Sequence, residues 1–393
     1  MSPIVLSVLI GIPVLSLAWA LWADSRFRKL NAPGSLRLLM GLMLCVILGS
    51  FIWIVLARQE IVTQKVPALP YSLVLLWGLL FLPFIALPSM VGWVLIRLGQ
   101  RLKAEINPHR DTEPSPTDPG RRQLLSSAAV ALPVIATFGT TAFSLPRRDR
   151  FRIREITIPI ANLPSDLNGL RIAHLSDTHV GKFTSGKVLH ELADATNRLK
   201  ADLVLLTGDL IDQSLDDLPE ALDMMARLDP RSGLYLIEGN HDLFQGADKF
   251  AQGVKDRGFN LLRDETAHLE VKGHPLDLLG IQWNKRGTPI EPHVDTVASQ
   301  RNPDALPILL AHHPHAFDRA AELGIPLTLA GHTHGGQLML TPEVGAGPMM
   351  FKYWSGLYQN RDNSLVVSNG AGNWFPLRTS APAEIVHITL RKA

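Results

Sequence analysis

Two histidines separated by one residue on a glycine-flanked turn are the side chains in this sequence best suited to chemistry. His332 and His334 lie in residues 331–337, directly after the apolar run of residues 325–330. Two imidazoles at this spacing, at the end of a predicted strand, can face one point, which is a metal-site geometry. Matching ligands are offered by four upstream patches, at residues 177–179, 208–209, 239–242 and 312–314.

The residue types in these patches favour particular metals and a particular reaction. Carboxylate oxygens and imidazole nitrogens without thiolates suit Mn, Fe, Zn or similar ions, and one carboxylate can bridge two ions. Two ions about 3.5–4 Å apart stabilise both the attacking and the leaving oxygen of a phosphoryl displacement, and a bridging water becomes hydroxide near neutral pH. The patches therefore predict a site for two divalent metal ions that hydrolyses phosphate esters.

The elements that must position these ligands are short apolar runs separated by turns and helical stretches, from residue 151 onwards. Strands are predicted at residues 152–158, 170–176, 202–207, 233–238, 276–281, 307–311, 326–330, 364–368 and 384–390. Helices are predicted at residues 186–198, 218–227, 246–257 and 315–322. Continuous apolar strands that alternate with helices indicate a buried α/β sheet, and the later strands, with fewer helices between them, indicate a second sheet. The predicted fold class is α/β, a two-sheet sandwich flanked by helices.

The candidate ligands all follow predicted strands. In open α/β sheets, ligands gather outside the carboxyl ends of the strands. Five separate strand ends carry such residues here. We therefore expect the five patches to converge on one rim, although each patch alone would mean little.

The N-terminal part of the chain is predicted to be an all-α transmembrane region. Residues 2–23, 38–57, 66–96 and 123–146 contain no Asp, Glu, Lys or Arg, and a helix of about 20 apolar residues spans a bilayer core. The first three are predicted spans; the fourth is richer in Ala, Ser and Thr, and a buried helix or linker is its alternative. The predicted organisation is three transmembrane helices in residues 1–106, a cytoplasmic linker at 107–122, a fourth helix at 123–146 and a catalytic domain at 147–393.

Basic residues in the short loops predict the orientation. Residues 24–37 hold four bases against one acid, so this loop is expected in the cytoplasm and the N-terminus outside. If the fourth helix crosses, the catalytic domain is extracytoplasmic. Arg121-Arg122 before this helix is either a twin-arginine export signal or an ordinary positive-inside flank. The arginines of residues 147–154 oppose export, unless they lie on anionic headgroups.

Composition excludes several classes of protein. The formal charge of +2 is too small to indicate nucleic-acid binding, and none is expected; 46% hydrophobic against 19% charged residues is typical of a chain with membrane segments. The single cysteine, Cys45, cannot form an intrachain disulfide. The predicted spans contain no ionisable residue, which favours an anchor over a transporter.

The order Asp-x-His, Gly-Asp, Gly-Asn-His-Asp, His, Gly-His-x-His resembles the calcineurin-like metallophosphoesterases. The resemblance covers residues 152 to 391, and implies the calcineurin-like phosphoesterase fold. The fuller form Gly-His-Thr-His-Gly-Gly-Gln resembles the bacterial membrane-anchored or exported subgroup, which implies a multi-pass protein of the bacterial inner (cell) membrane.

The resemblance implies a role for each candidate residue. The first metal is assigned to Asp177, His179 and His334, with Asp209 bridging to the second metal. The second metal site is completed by Asn240, His312 and His332. His241 is the catalytic residue, which faces the scissile phosphate and either stabilises its charge or protonates the leaving alkoxide.

The expected function is therefore that of a membrane-anchored metal-dependent phosphoesterase, acting on a phosphomonoester, phosphodiester or pyrophosphate through a metal-bridging hydroxide. The alternative is a membrane protein whose phosphoesterase-like domain only binds metal or a partner. The anchor favours lipid-linked substrates and contact with membrane lipids, while nucleotides and simple phosphodiesters stay open. Two further features are left with two interpretations each. Arg378 is either a phosphate contact or part of a structural ion pair, and residues 342–354 are either core packing or a substrate- or membrane-facing rim. His313 and His315 are predicted to be neighbours of the ligand rather than ligands.

Overall fold

The computed structural model describes residues 3–62, 66–106, 119–283 and 288–393. These residues form two compact units, Met1–Leu145 and Pro146–Ala393. Most of the predicted cytoplasmic linker, residues 107–118, lies outside the described residues.

The first unit is helical throughout its described part. Its helices are α1 (Pro3–Lys29), α2 (Gly34–Arg58), α3 (Ala68–Leu75), α4 (Leu87–Ile106) and α5 (Pro119–Ser144), and a π-helical segment, Leu76–Ala86, joins α3 to α4. Among the described residues, three helices are long and apolar enough to cross a membrane, namely Gly34–Arg58, Ala68–Lys103 and Gly120–Arg147. The last includes the segment for which a buried helix was the alternative. The first predicted span is helical as α1, and its crossing of a membrane stays a prediction.

The helices of this unit pack through buried aromatic residues. Trp19 and Trp77 are buried and meet edge to face, with ring centroids 5.2 Å apart. The Trp77 indole donates a hydrogen bond to Ser16 Oγ over 2.8 Å. Because an indole N–H needs a partner when it leaves water, this bond joins α1 to the π-helical segment inside the bundle.

The second unit contains twelve described strands in two mixed sheets of six. The strands are β1 (Phe151–Ile160), β2 (Arg171–Leu175), β3 (Leu203–Thr207), β4 (Gly233–Ile237), β5 (Asn260–Leu261), β6 (Glu265–Val271), β7 (His274–Gly280), β8 (Leu306–Leu310), β9 (Leu327–Ala330), β10 (Gly356–Asn360), β11 (Asn363–Val367) and β12 (Ala383–Lys392). The first sheet has the order β1-β12-β2-β3-β4-β5 and the second β10-β11-β9-β8-β7-β6.

Helices cover the outer faces of both sheets. They are α6 (Lys187–Arg198), α7 (Leu218–Ala226), α8 (Ala247–Asp256), α9 (Glu291–Ser299) and α10 (Ala316–Glu322), and a short helix, α11 (Ala346–Met350), lies in the connection from β9 to β10. The predicted two-sheet sandwich flanked by helices is confirmed.

Alternation along the central strands explains why both of their faces are apolar. In β3, Leu203 and Leu205 enter the core between the two sheets, whereas Val204 and Leu206 enter the core under α6, α7 and α8. In β8, Ile308 points into the inter-sheet core and Leu309 into the core under α9 and α10. A strand buried on both faces reads as a continuous apolar run, which is why these strands are visible in the sequence.

Three strands and two helices were missed from the sequence: β5, β6, β10, α9 and α11. β6 and β10 are edge strands with exposed and half-buried residues, so neither shows a continuous apolar run. β6 pairs with β7 through a turn at Lys272 and Gly273, where both residues have positive φ. This geometry matches the twist of a two-residue hairpin.

Candidate metal centre

All seven predicted metal ligands follow strand ends that face one another across the two sheets. Asp177 and His179 follow β2, Asp209 follows β3, Asn240 follows β4, His312 follows β8, and His332 and His334 follow β9. The parallel runs β2-β3-β4 and β8-β9 lie in different sheets. The carboxyl ends of both sheets thus contribute to a single site, and the structure brings every predicted ligand to it.

Left-handed backbone conformations are concentrated at these strand ends. Positive φ values of 50°, 43°, 53°, 71° and 51° occur at Asp177, His179, Asp209, His332 and His334. Each such residue costs on the order of 1–2 kcal/mol, and this cost persists only where the surrounding fold imposes it. The sharp turns aim the side chains back across the strand ends, so the strain serves the geometry of the site.

Two glycines allow the loops to approach the carboxylates. A Cβ at Gly331 would collide with Ser176 Oγ and Asp177 Oδ2, and a Cβ at Gly239 would collide with the Asp209 carboxylate. Both glycines have ordinary φ, so their role is space rather than conformational freedom. The Gly-His-x-His and Gly-Asn-His patterns therefore need glycine because a carboxylate occupies the position of its side chain.

The first cluster of ligands consists of Asp177, His179 and His334, all buried, with one donor atom from each within 4.8 Å of the others. His179 Nε2 lies 3.0 Å from His334 Nε2, and His334 Nε2 lies 3.2 Å from Asp177 Oδ1. Ser176 Oγ donates to Asp177 Oδ2 over 2.5 Å and orients this carboxylate.

The second cluster consists of Asp209, His312 and His332, again with donor atoms within 4.8 Å of one another. His312 Nε2 lies 3.2 Å from Asp209 Oδ2 and 3.3 Å from His332 Nδ1. His312 Nδ1 lies 2.7 Å from the carbonyl oxygen of Thr207. Because a carbonyl only accepts, Nδ1 carries the proton, and Nε2 is directed into the cluster.

The residues present fit divalent metal ions. Asp209 Oδ2 lies 3.5 Å from His179 Nε2 of the first cluster and 3.2 Å from His312 Nε2 of the second, which is the position of a bridging carboxylate. Asn240 Oδ1 is buried and has no hydrogen-bond partner among the described residues. A buried amide oxygen without a partner is costly unless a cation or donor binds it.

Asp212 forms a third cluster with His179 and His241, and sequence reasoning missed it. Its Oδ1 lies 3.5 Å from Nδ1 of both histidines. The Asp212 carbonyl also accepts from His241 Nδ1 over 2.6 Å, so His241 directs Nε2 away from this residue. The available signal was an acid three residues after Asp209, on the same strand-end loop.

The loops after β3 and β4 are joined by Asp242. Its carboxylate accepts from Ile211 N over 3.0 Å and from Gly239 N over 2.8 Å. His241 N donates to Asp209 Oδ1 over 2.8 Å. Asp242 thus acts on the backbone that carries Asn240 and His241, and holds the two loops together.

Arg378 is structural. Its side chain is only 1% exposed. The guanidinium donates to the carbonyl oxygens of Asn369, Ala381 and Gly372 and to Asn373 Oδ1, and Nη2 lies 3.1 Å from His334 Nδ1. The donors are therefore taken by the protein itself, which is against a phosphate contact. The role is structural, but the partners are carbonyl and amide oxygens rather than the acid of an ion pair.

The electrostatics of the two clusters follow from burial and opposite charge. Burial acts to lower the pKa of His312, but Asp209, by charge and by hydrogen bond, raises it to about 9. Burial acts to raise the pKa of Asp209, but His312 and His179 hold it below its usual range. Burial, with neighbouring positive charge, keeps the pKa of His332 and His334 well below that of a free histidine. These two imidazoles are therefore neutral, as metal binding requires.

His241 differs from these residues in exposure and in charge. It is half-buried, and its ring lies 4.7 Å from Phe244 and 6.1 Å from Trp374, centroid to centroid. Burial acts to lower its pKa, but the hydrogen bond with Asp212 and the charge of Asp209 raise it. A histidine with a raised pKa at the mouth of the site can hold a proton for transfer.

Comparisons with known proteins identify similar phosphoesterases. A family model described as calcineurin-like phosphoesterase matches residues 170–336. The fold is calcineurin-like. A Danio rerio protein named "Transmembrane protein with metallophosphoesterase domain" is 29% identical over 282 residues, which are 68% of this chain and 62% of that protein. A Helicobacter pylori protein named "Uncharacterized metallophosphoesterase" is 29% identical over 61% of this chain and 64% of that protein. The chain thus spans less than two thirds of the length of these relatives.

A solved structure described as a novel archaeal phosphodiesterase also matches. Its TM-score is 0.29 at 14% identity, over 51% of this chain and 84% of that chain. The family model and the relatives support the calcineurin-like metallophosphoesterase superfamily for this chain. A metallophosphoesterase domain, candidate metal-binding residues and helices apolar enough to span a membrane occur together in it.

Proposed function

We propose that this protein is a membrane-anchored, dinuclear-metal phosphoesterase that hydrolyses a phosphomonoester, phosphodiester or pyrophosphate. The observation that supports this most directly is the pair of ligand clusters that share Asp209. The superfamily match and the metallophosphoesterase relatives support a phosphoesterase in general. The finer assignment to the bacterial anchored or exported subgroup rests on the segment from Gly331 to Gln337.

We assign each residue the role that the family resemblance implies. Asp177, His179 and His334 would hold the first metal ion. Asn240, His312 and His332 would hold the second, and Asp209 would join the two. When bound, two divalent ions such as Mn, Fe or Zn supply Lewis acidity to the phosphoryl oxygens and lower the pKa of a bound water.

The chain's own residues would orient the reaction and supply its proton. The bond from His312 Nδ1 to the Thr207 carbonyl fixes the ligand tautomer, and Asp212 holds His179 and His241 in place. His241 Nε2 would face the leaving oxygen and donate the proton that the departing alkoxide needs, which contributes about 10²–10⁴-fold to such reactions. Phe244 and Trp374 lie beside this ring, at centroid distances of 4.7 and 6.1 Å.

The proposal also includes a membrane location for the protein. Three described helices could cross a bilayer by length and composition. We place the protein in the bacterial inner membrane as a multi-pass protein, with the metal centre on the extracytoplasmic side. The proposed substrates are phosphoesters close to the bilayer, and lipid-linked phosphoesters are among them.

The test is hydrolysis of a chromogenic phosphodiester by the purified full chain in mild detergent with added Mn²⁺. We expect activity in the wild type, and its loss by about 100-fold or more in Asp209→Asn and in His241→Ala. A matched control is His190→Ala, which changes an exposed histidine on α6. Its activity should equal that of the wild type.

The alternative, a domain that binds metal or a partner without turnover, predicts a different outcome. A metal-loaded wild type that is inert towards a broad phosphoester panel would overturn the proposed function. Activity that survives Asp209→Asn would instead overturn the assignment of the bridging residue.

A further inference from the structure

A cavity of about 710 Å³ lies beside the second ligand cluster. At its inner end it reaches Asn240, His312 and His332. Its apolar walls are Ile281, Trp283, Pro289, Ile290, Met350 and Phe351. This volume is within the range of small-molecule sites, and it opens directly onto residues proposed to bind metal.

The polar groups of the lining are largely engaged within the protein. The Gln282 backbone N–H and side-chain amide both donate to the Asp264 carboxylate, over 3.1 and 2.7 Å. His313 Nδ1 accepts from His315 N and lies 2.9 Å from His315 Nδ1. What the described lining offers to a ligand is therefore mainly apolar side chains and aromatic faces, together with the carboxylate of Glu291.

Two aromatic rings bring the apolar walls up to the metal centre. The Trp283 ring centroid lies 5.1 Å from that of His332 and 5.4 Å from that of His312. Phe351 meets His332 edge to face at 6.0 Å. A phosphate held at these histidines would therefore place the group bonded to it against aromatic surface.

Two exposed methionines lie beside the cavity, on the connection from β9 to β10, which is hydrogen-bonded to the rest of the domain. Met350, which lines the cavity, is 70% exposed, and its neighbour Met349 is 86% exposed. The loop is bonded to the domain at both ends, because Met339 N donates to Thr379 Oγ1 over 2.8 Å and Thr333 Oγ1 donates to the Trp354 carbonyl over 2.6 Å. Because methionine side chains are flexible, exposed methionines on an anchored loop indicate a surface that can adapt to an apolar ligand.

We propose that this cavity binds the hydrocarbon chain of an amphiphilic phosphoester from the bilayer, while its phosphate lies at the metal centre. The inference rests on the proposed function and names the substrate class of the same site. The apolar walls match a hydrocarbon chain, and the same polypeptide contains helices that are long and apolar enough to cross a bilayer. A nucleobase fits less well, because it needs several hydrogen-bond partners, whereas the walls are mainly apolar and the amide of Gln282 is already bonded to Asp264.

The test is binding of ethyl-, butyl- and hexylphosphonate, which are water-soluble and not hydrolysed. The full chain is held in nanodiscs of a zwitterionic lipid with Mn²⁺, and Kd is measured by calorimetry. From ethyl to hexyl, Kd should fall by about tenfold or more, because four further methylenes leave water.

Two variants locate the effect. Met350→Gln should reduce the chain-length dependence by about threefold or more, since it places an amide at the cavity mouth. The matched control is Leu340→Gln, at a residue of the same loop that is 81% exposed and does not line the cavity. Leu340→Gln should bind all three phosphonates as the wild type does.

Several outcomes would overturn the proposal. They are a Kd that does not change with chain length, an equal effect of Leu340→Gln and Met350→Gln, and tighter binding of adenosine monophosphate than of hexylphosphonate. Its failure is distinct from failure of the proposed function. If the protein hydrolyses the soluble diester but its phosphonate Kd does not depend on chain length, only the hydrocarbon-binding proposal is overturned. If binding depends on chain length but no ester is hydrolysed, only the proposed catalysis is overturned.

Discussion

Asp212 shows at the scale of single residues how one carboxylate can serve two histidines. Its Oδ1 is buried, has no hydrogen-bond partner among the described residues, and lies 3.5 Å from Nδ1 of both His179 and His241. One of these histidines is a predicted metal ligand and the other is the predicted proton donor. The same acid therefore lies between the predicted metal ligand and the predicted proton donor, where it can orient both rings.

Asp212→Asn should lower both metal affinity and turnover by about 10–100-fold, the usual effect of removing a partner that orients a ligand. Metal content after dialysis against a weak chelator, together with diester hydrolysis at saturating Mn²⁺, measures the two effects separately. The control is Asp216→Asn, at an exposed position of the same connection. If Asp212→Asn has the metal content and turnover of the wild type, Asp212 does not have the positioning role.

His174 makes the stability of the domain depend on pH. It is fully buried on β2, with Nε2 2.8 Å from Thr207 Oγ1. Burial, and to a smaller extent the charge of Arg154, lower its pKa from 6.5 to about 3. Between these values the unfolded chain binds a proton that the folded chain does not. The stability contributed by the neutral ring is thus present above pH 6.5 and is lost as the pH falls below it.

From pH 7 to pH 5 this residue should cost about 2 kcal/mol of unfolding free energy. Chemical denaturation of the wild type and of His174→Gln at both pH values measures the difference. The variant should lose less stability than the wild type over this interval, whatever its absolute stability. Equal losses of stability in the wild type and in His174→Gln between the two pH values would contradict this account.

At the scale of elements, the turn after β9 shows why the predicted metal-binding segment begins with glycine. A Cβ at Gly331 would meet Ser176 Oγ and Asp177 Oδ2, which follow β2 in the other sheet, and His332 N donates to the same Asp177 carboxylate over 3.0 Å. The turn and the end of β2 are packed so closely that the Asp177 carboxylate, which follows β2, also holds the turn through the hydrogen bond from His332 N.

Gly331→Ala should displace Asp177 and lower metal affinity by about tenfold or more, a size typical of disturbed ligand orientation. The control is Gly273→Ala, in the turn between β6 and β7, where φ is +77° and no heavy atom lies within 4 Å of the added Cβ. The control should lose about 1–2 kcal/mol of stability through backbone strain alone and keep its metal. Equal metal affinity in wild type and Gly331→Ala would contradict this account of the glycine.

At the scale of the whole molecule, the arginines of residues 147–154 bear on which side of the membrane the second unit occupies. In the sequence they look like free positive charge, which opposes export. Arg152 and Arg154 both bind Glu384, which is fully buried on β12, at 2.9 and 2.7 Å. Arg148 pairs with Asp149 at 2.6 Å. Much of this cluster is therefore part of the domain's own structure, and the objection to an extracytoplasmic domain is weaker than the sequence indicated.

The orientation can be tested with reporter fusions at residue 150, after α5. We expect a phosphatase that needs the extracytoplasmic environment to be active there and a cytoplasmic reporter to be silent, because the loop of residues 24–37 is positively charged. A fusion at residue 30, inside this loop, is the control and should show the reverse pattern. A silent phosphatase and an active cytoplasmic reporter at residue 150 would place the metal centre in the cytoplasm.

The sequence by itself determined the fold class and the set of candidate ligands. Buried strands are continuous apolar runs, and the polar residues that interrupt them at their carboxyl ends are few and chemically distinctive. For the same reason β3 and β9 were visible in the sequence, whereas β6 and β10, on the edges of the second sheet, were not.

Only the tertiary structure decided which residues surround the ligands. Asp212, Trp283 and Met350 lie on connections whose sequences show no periodicity, and their positions depend on how the two sheets pack. Arg378 carries a full charge and looks available in sequence, but its burial among backbone carbonyls gives it a structural role. Local patterns encode strands because backbone hydrogen bonding is periodic, whereas a cavity or a buried charge depends on contacts between segments far apart in the chain.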